Sequence, residues 1–168
     1  GLPATTNDFE PTVTFDQPGL YDVTLIAHNT YCSDTLRRNE YIRIGDVPEA
    51  DFSMSDIMGC EPLDVTFSDL TTVTNGNVEQ THWIFGDGFE SFLEQPTHTY
   101  MDATSFEAQL IVTTDVGCVD SISQNITVML QPDVTITGDQ EICIGEITHL
   151  LATITSDPTG VTYFWEND

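Results

Sequence analysis

An internal repeat constrains the fold of this chain more than any other feature of its sequence. The segment Pro11–Phe15 reappears 85 positions later as Pro96–Tyr100, and the same offset carries Tyr21–Ile26 onto Phe106–Ile111. Three single residues recur at offsets of 82 to 86: Cys32 as Cys118, Cys60 as Cys143 and Trp83 as Trp165. A regular period of this length indicates that each repeat is one structural module.

The phase of the repeat divides the 168 residues into three parts. Residues 1–46 correspond to the C-terminal half of a unit, residues 47–130 to a complete unit, and residues 131–168 to the N-terminal half of a third. The chain starts Gly1-Leu2-Pro3 without a methionine, which we interpret as the start of a fragment. The joints contain Pro48 and Pro132 and are not rich in glycine or serine, so we expect a stiff, extended string.

Within a unit, apolar and polar residues alternate with a period of two, as in Leu63–Ser68 and Tyr21–Ala27. This alternation is typical of strands with one buried face. Turn signals separate the segments: Asn75–Asn77, Gly86–Gly88, Asp115–Gly117 and Asp157–Gly160. The pattern predicts an all-β fold, with a sandwich of about seven strands per unit and no amphipathic helix.

The charge balance excludes two classes of partner. The chain has 28 acidic residues against 3 basic ones, all arginines (Arg37, Arg38 and Arg43), and a net charge of −25. Such a surface repels phosphate backbones and anionic lipids, so we expect no nucleic-acid binding. No apolar run approaches the roughly 20 residues that cross a bilayer, so we expect no direct membrane insertion.

A motif in the complete unit identifies a family. Trp83–Gly88 reads Trp-Ile-Phe-Gly-Asp-Gly, Pro96–Tyr100 follows as Pro-Thr-His-Thr-Tyr, and Cys60–Phe67 lies upstream. Together these segments resemble a PKD (polycystic kidney disease) domain over about residues 47–130. The first part matches the C-terminal portion of the family pattern, with Phe15 in place of the final tyrosine. In the third part Trp165–Asp168 departs from the motif and resembles divergent PKD-like or Ig-like repeats.

The resemblance implies tandem Ig-like β-sandwich modules and structural roles for the motif. Trp83 and Phe85 are two residues apart, so they share a strand face and can fill the core. Asp87 can bind local backbone NH groups in a tight turn, with a ligand-binding role as the less favoured alternative. The structural motif comprises Trp83, Phe85, Gly86, Asp87, Gly88, Pro96, His98 and Tyr100.

The four cysteines contain no Cys-x-x-Cys pair, which argues against zinc. Each full unit has one cysteine near its start and one after its penultimate strand, so we predict a disulfide between Cys60 and Cys118, with free buried thiols as the alternative. Cys32 and Cys143 would then pair outside this chain. A disulfide implies an extracellular or cell-surface location.

No catalytic arrangement is recognisable. The histidines form no His-Glu-x-x-His pattern, and neither a Gly-x-Ser-x-Gly elbow nor a phosphate-binding glycine loop is present. We therefore predict no enzymatic activity and no organic cofactor. Calcium is a candidate ligand at the joints, through Asp46, Glu49 and Asp51 or through Asp133, but no Asp-x-Asp-x-Asp-Gly loop is present, so a solvated acidic surface is the favoured explanation of these residues.

The style of the repeats, lysine-free and rich in threonine, resembles surface proteins of Bacteroidota, including type IX secretion cargo and gliding adhesins. This resemblance implies a non-catalytic stalk whose partners are neighbouring repeats, surface polysaccharide or the secretion and motility machinery. The alternative is a substrate-binding PKD spacer of a secreted hydrolase.

Thr35 and Ser121 occupy equivalent Asp-(Ser/Thr)-aliphatic triplets that resemble O-glycosylation sites, unless the triplets serve strand pairing. The N-linked sequon Asn125–Thr127 is given less weight, because its machinery is mostly eukaryotic.

Overall fold

A computed structural model describes residues 5–154 and 162–166 of the chain. These residues form β-strands and no helix, which confirms the predicted all-β fold. In the described ranges no helix is long and apolar enough to cross a membrane. The strands are β1 (Gly19–His28), β2 (Ser33–Ile44), β3 (Phe52–Met54), β4 (Met58–Cys60), β5 (Leu63–Asp69), β6 (Val78–Ile84), β7 (Glu90–Ser91), β8 (Thr97–Tyr100), β9 (Ser105–Thr114), β10 (Val119–Met129), β11 (Val134–Thr137) and β12 (Leu151–Ile154).

Two sheets of the middle unit face each other as a sandwich. One sheet has five strands in the order β4-β10-β9-β6-β7, and the other has three in the order β3-β5-β8. All neighbours are antiparallel except β4 and β10, which run parallel. The unit thus has eight strands, one more than the sequence predicts, because Glu90–Ser91 forms a two-residue edge strand that the alternation pattern is too short to reveal.

The buried apolar core of the described residues lies entirely within this sandwich. Its members come from both sheets: Ala50, Phe52, Val65, Phe67, Trp83, Phe85, Tyr100, Phe106, Ala108, Leu110, Val112, Ile126 and Val128. Trp83 is at its centre, with its ring 5.3 Å from that of Phe52 and 5.4 Å from that of Phe67. The indole NH donates to the carbonyl of Leu93 at 2.9 Å, so the buried ring leaves no polar atom unsatisfied.

Two further hairpins flank the sandwich, β1-β2 and β11-β12. In β1-β2, Leu25 lies opposite Leu36, just as Leu110 lies opposite Ile122 in β9-β10. The two hairpins therefore share a register as well as a sequence pattern. Toward its end β2 contains a bulge, where Glu40 has a φ of 50° and the pairing slips. This bulge adds two residues to β2 and accounts for two of the four residues by which the repeat offset drifts.

Replacing the central tryptophan tests this packing. We expect Trp83→Ala to destabilise the protein by about 3–5 kcal/mol, because it removes a fully buried ring and leaves the Leu93 carbonyl without its donor. Urea denaturation of the full chain measures the change. Met101→Ala is the matched control, since Met101 is 67% exposed in the same unit and should shift the midpoint little. Equal shifts for both variants would contradict a core role for Trp83.

Candidate functional site: the motif turn and the module joint

The Gly86–Gly88 turn follows β6 and brings the chain close to β9. Gly86 has a φ of +87° and Gly88 a φ of +97°, a region that L side chains rarely adopt. A Cβ at Gly86 would lie 2.6 Å from the carbonyl oxygen of Glu107, so only glycine fits there. Between the two glycines, the Oδ1 of Asp87 accepts the amide of Phe89 at 3.2 Å. The turn is thus held locally by its own aspartate.

Asp87 also connects the turn to β8. Its Oδ2 lies 2.6 Å from the Nε2 of His98, and both side chains are nearly buried. The His98 ring stacks flat on Phe85, with a centroid distance of 4.2 Å, and its edge contacts Tyr100 at 4.8 Å. Because both carboxylate oxygens of Asp87 serve contacts within the module, the arrangement favours a structural role over a ligand-binding one.

Tyr100 closes the same cluster from β8. Its ring is fully buried and its hydroxyl donates to the carbonyl of Phe85 at 3.0 Å. Burial, together with the nearby charge of Asp87, raises the pKa of the Tyr100 hydroxyl far above its usual range. The hydroxyl therefore stays protonated and remains a donor at any physiological pH.

We expect Asp87→Ala to destabilise the module by about 1–3 kcal/mol, because it removes the partner of a nearly buried histidine and of the Phe89 amide. Chemical denaturation measures the change, and Asp102→Ala in an exposed turn of the same module is the control. A loss no larger than that of the control would show that the Asp87–His98 contact contributes nothing.

The joint before the middle module is closed by an ion pair. The Nη2 of Arg43, at the end of β2, donates to the Oδ2 of Asp115 at 2.6 Å. Asp115 is also 3.4 Å from the amide of Asn77. The Arg43 hydrogen bond is the main cause that lowers the pKa of Asp115, and the Asn77 contacts add to it. Sequence reasoning recognised Asp115 only as part of a turn, since nothing local signals its distant partner.

Backbone contacts reinforce this joint. The amide of Asp46 donates to the carbonyl of Asn75 at 3.1 Å. Gly45 lies against the side chain of Val116, where a Cβ would collide with it. Pro48 is buried, and Glu49 forms a bridge with Thr72. The turns at residues 75–77 and 115–117 thus make direct contacts with the incoming chain.

Substituting the arginine should change the titration of its partner. The ion pair lowers the native pKa of Asp115, so its contribution to stability is complete above the unfolded pKa and is lost as pH falls through the native pKa. In Arg43→Gln we expect the Asp115 pKa to rise toward the ordinary value of an aspartate, as followed by NMR of the carboxyl carbon. Arg38→Gln, on the same strand, should leave it unchanged; equal shifts in both variants would exclude a specific pair.

The predicted disulfide between Cys60 and Cys118 is wrong. All four cysteines are free thiols, with Cys60 exposed and Cys118 partly exposed. Cys60 lies opposite Met129 on the last rung of β4 and β10, whereas Cys118 immediately precedes β10. Eleven residues of strand separate the two positions, about 36 Å at 3.3 Å per residue. A disulfide needs Cα atoms within about 7 Å, so the fold prevents this pairing.

The calcium candidates are not gathered into a site. Within the described ranges, no group of three or more His, Cys, Asp or Glu side chains could hold a metal ion. Asp51 accepts the amide of Phe52, and Asp46 lies 3.4 Å from the side-chain amide of Asn75. Glu49 is exposed on the same segment, and Asp133 lies in the second joint. Calcium binding at the joints stays a prediction.

Both glycosylation candidates are exposed and occupy equivalent strand positions. Thr35 lies opposite Ile26 in the first hairpin, and Ser121 lies opposite Ile111 in β9-β10. The aspartate of the second triplet has a structural task, because the Oδ2 of Asp120 accepts the amide of Ala50 at 2.9 Å. This bond ties the start of the module to β10, and it explains the triplet's aspartate without a modification.

A polar groove in the middle module was not predicted. Its volume is about 530 Å³, and its lining comprises Asp69, Thr71, Val78, Glu79, Gln80, Thr81, Phe92 and Glu94. The exposed ring of Phe92 stacks on His82 at 4.4 Å, and the His82 Nε2 lies 2.8 Å from Glu90. The Oγ1 of Thr71 is buried without a hydrogen-bond partner. The residues come from several separate segments, so no sequence motif marks the groove.

These features define a structural or binding module with an Ig-like β-sandwich fold. The model of the PKD domain family matches residues 46–130, half of the chain. The chain therefore belongs to the PKD domain family, as its motif predicts. No curated protein matches the sequence.

Several solved structures are similar to part of the chain. The PKD1 domain of the Vibrio cholerae metalloprotease PrtV is 32% identical, with 50% of this chain and 99% of that domain covered and a TM-score of 0.45. The PKD1 domain of Vibrio anguillarum Epp is 23% identical over 52% and 99%, with a TM-score of 0.46. A structure of carbohydrate-binding modules from the β-sandwich superfamily is 20% identical over 67% and 56%, with a TM-score of 0.50, and shares the fold.

Proposed function

We propose that this chain is part of a non-catalytic stalk of tandem PKD modules in a large secreted or cell-surface protein, a gliding-type adhesin of Bacteroidota exported by type IX secretion. The observation that carries the proposal is the recurrence of one hairpin register. Leu25 faces Leu36 in β1-β2 as Leu110 faces Ile122 in the complete module. A repeated register supports a second module of the same fold upstream.

The flanking hairpins support the same proposal. Leu25 is 64% exposed, whereas its counterpart Leu110 is fully buried between two sheets. Ile136 in β11 is 62% exposed as well. Such apolar faces are the part of a β-sandwich that a second sheet covers. Residues 1–46 and 131–168 therefore fit portions of further modules on either side of residues 47–130.

The joint suits a stalk because it limits bending. The Arg43–Asp115 pair and the Asp46–Asn75 backbone bond connect the incoming strand to the module. The net charge of −25 makes copies repel each other, which favours an extended, soluble array. Neighbouring repeats are then the first partners of each module, and a surface polysaccharide or the motility machinery would be contacted elsewhere along the array.

The location can be tested on cells of the source bacterium. We expect an antibody raised against residues 47–130 to label intact cells, and brief protease treatment of whole cells to remove the epitope. Inactivating type IX secretion should abolish surface labelling while the epitope accumulates inside the cell. A periplasmic protein probed in parallel controls for lysis. Unchanged labelling in the secretion mutant would contradict the export route, and an epitope found only inside wild-type cells would contradict the stalk.

The second candidate is a substrate-binding spacer of a secreted hydrolase, which the polar groove favours. Exposed aromatic rings such as Phe92 can stack on sugar rings, and the surrounding carboxylates and amides can bind hydroxyl groups. Binding of a panel of neutral polysaccharides to the full chain tests it. Retention that Phe92→Ala abolishes and that the distant variant Met101→Ala leaves intact would favour the spacer over the stalk.

We also propose O-glycosylation of Thr35 and Ser121, which are exposed and occupy equivalent strand positions. Intact-mass measurement on protein from the source organism should show a glycan increment that Thr35→Ala and Ser121→Ala each reduce by one unit. Thr127→Ala is the control, since it removes the N-linked sequon Asn125–Thr127 and should change nothing beyond its own mass. Unmodified peptides covering both triplets would contradict the modification and show that the triplets serve strand pairing and the Asp120–Ala50 hydrogen bond.

A further inference from the structure

The two cysteines of the middle module lie at opposite ends, and each end is a joint. Cys118 belongs to the turn between β9 and β10, two residues from Val116, which contacts Gly45 of the incoming chain. Cys60 lies opposite Met129, where the chain leaves β10. One cysteine thus lies at the joint with the module before, and the other at the joint with the module after.

The strand register shows which part of an upstream module would reach the first joint. In β1-β2, Tyr21 pairs with Ile42, and in β9-β10 the equivalent Phe106 pairs with Ile126. Ile42 therefore corresponds to Ile126, and three residues later Gly45 corresponds to Met129. Since Cys60 pairs with Met129, the cysteine of the Cys60 type in an upstream module lies opposite Gly45, about 5 Å away on the neighbouring strand.

Both kinds of cysteine consequently meet at one joint. Gly45 is close enough to Val116 that a Cβ on it would collide with that side chain, and Val116 is two residues from Cys118. The path from the upstream cysteine to Cys118 comprises one strand spacing, the Gly45–Val116 contact and two residues of the turn, about 16 Å at most, against about 36 Å between Cys60 and Cys118 inside one module. A movement of the partly exposed 115–118 turn covers the remaining distance to the roughly 7 Å between Cα atoms that a disulfide allows.

We propose that adjacent modules are joined by a disulfide between the Cys60 position of one module and the Cys118 position of the next. The inference rests on the proposed tandem array. One thiolate attacks the disulfide of an oxidant, a protein or small-molecule disulfide, and forms a mixed disulfide. The second thiolate then displaces the oxidant, which leaves as two thiols after taking up two electrons, and the two cysteine protons go to solvent or to the oxidant's thiolates.

The same arrangement accounts for the cysteines of this chain. Cys118 lies at the joint before the middle module, and Cys60 lies at the joint after it. By the repeat, Cys32 is equivalent to Cys118 and Cys143 to Cys60, so these two lie at the outer ends of their own units. No two of the four share a joint, which agrees with the four free thiols. The pairing runs between neighbours and never within a module.

A chain in which residues 1–126 are followed directly by residues 43–168 tests the proposal. Arg43 corresponds to Thr127, so β10 continues in register and the native joint of residues 43–46 links two copies of the module. After treatment with oxidised glutathione, this chain of six cysteines should retain four thiols. Cys60→Ser in the first copy should abolish the crosslink, whereas Cys60→Ser in the second copy should leave it intact. The original chain should keep its four thiols under the same conditions.

Six free thiols in the folded two-copy chain, or a crosslink that survives Cys60→Ser in the first copy, would overturn the disulfide. Small-angle X-ray scattering of the same sample tests the stalk separately. Modules lying end to end with free thiols would leave the stalk standing and remove the disulfide. Modules folded back on each other would instead contradict the stalk itself.

Discussion

The burial of Trp83 between the two sheets is the contact on which the rest of the module depends. Its ring touches Phe52 and Phe67 of the three-stranded sheet, while its own strand belongs to the five-stranded sheet. The indole NH reaches the carbonyl of Leu93 beyond β7, so one side chain fixes both the separation of the sheets and the path of a long connection. Phe85, two residues later in the chain, stacks on His98 and leads directly into the Gly86–Gly88 turn.

The sequence predicts those features that local chemistry determines. Alternation along β5 identifies a strand because a half-buried strand needs one apolar face, and the glycines of the motif indicate a turn because they adopt positive φ. The repeat adds the equivalence of distant segments. The cysteine pairing failed for a related reason: equal spacing along the chain says nothing about which end of a strand a residue reaches. Only the parallel rung between Cys60 and Met129 places that thiol.

Contacts between distant segments could not be predicted. The Arg43–Asp115 pair joins residues 72 positions apart, and the groove around Phe92 draws on several separate segments. In a chain with 28 acids almost any arginine has many candidate partners, so composition cannot select one. Arg37 pairs with Asp22 inside its own hairpin, whereas Arg43 projects from the end of its strand onto the next module. Position on the strand, rather than charge, decides which arginine serves the joint.

The parallel pairing of β4 with β10 has a consequence for a protein under tension. When the chain is pulled from its two ends, the force first acts on β3. The side chains of Asp120 and Gln124 hold this segment to β10 through hydrogen bonds to the backbone of residues 50–52. Once these hydrogen bonds break, the force pulls β4 and β10 in opposite directions along the strand axis. The rungs from Met58–Thr127 to Cys60–Met129 are then loaded together in shear, so they must rupture as a group instead of opening one after another. Each module would keep its length up to a threshold force and then unfold abruptly.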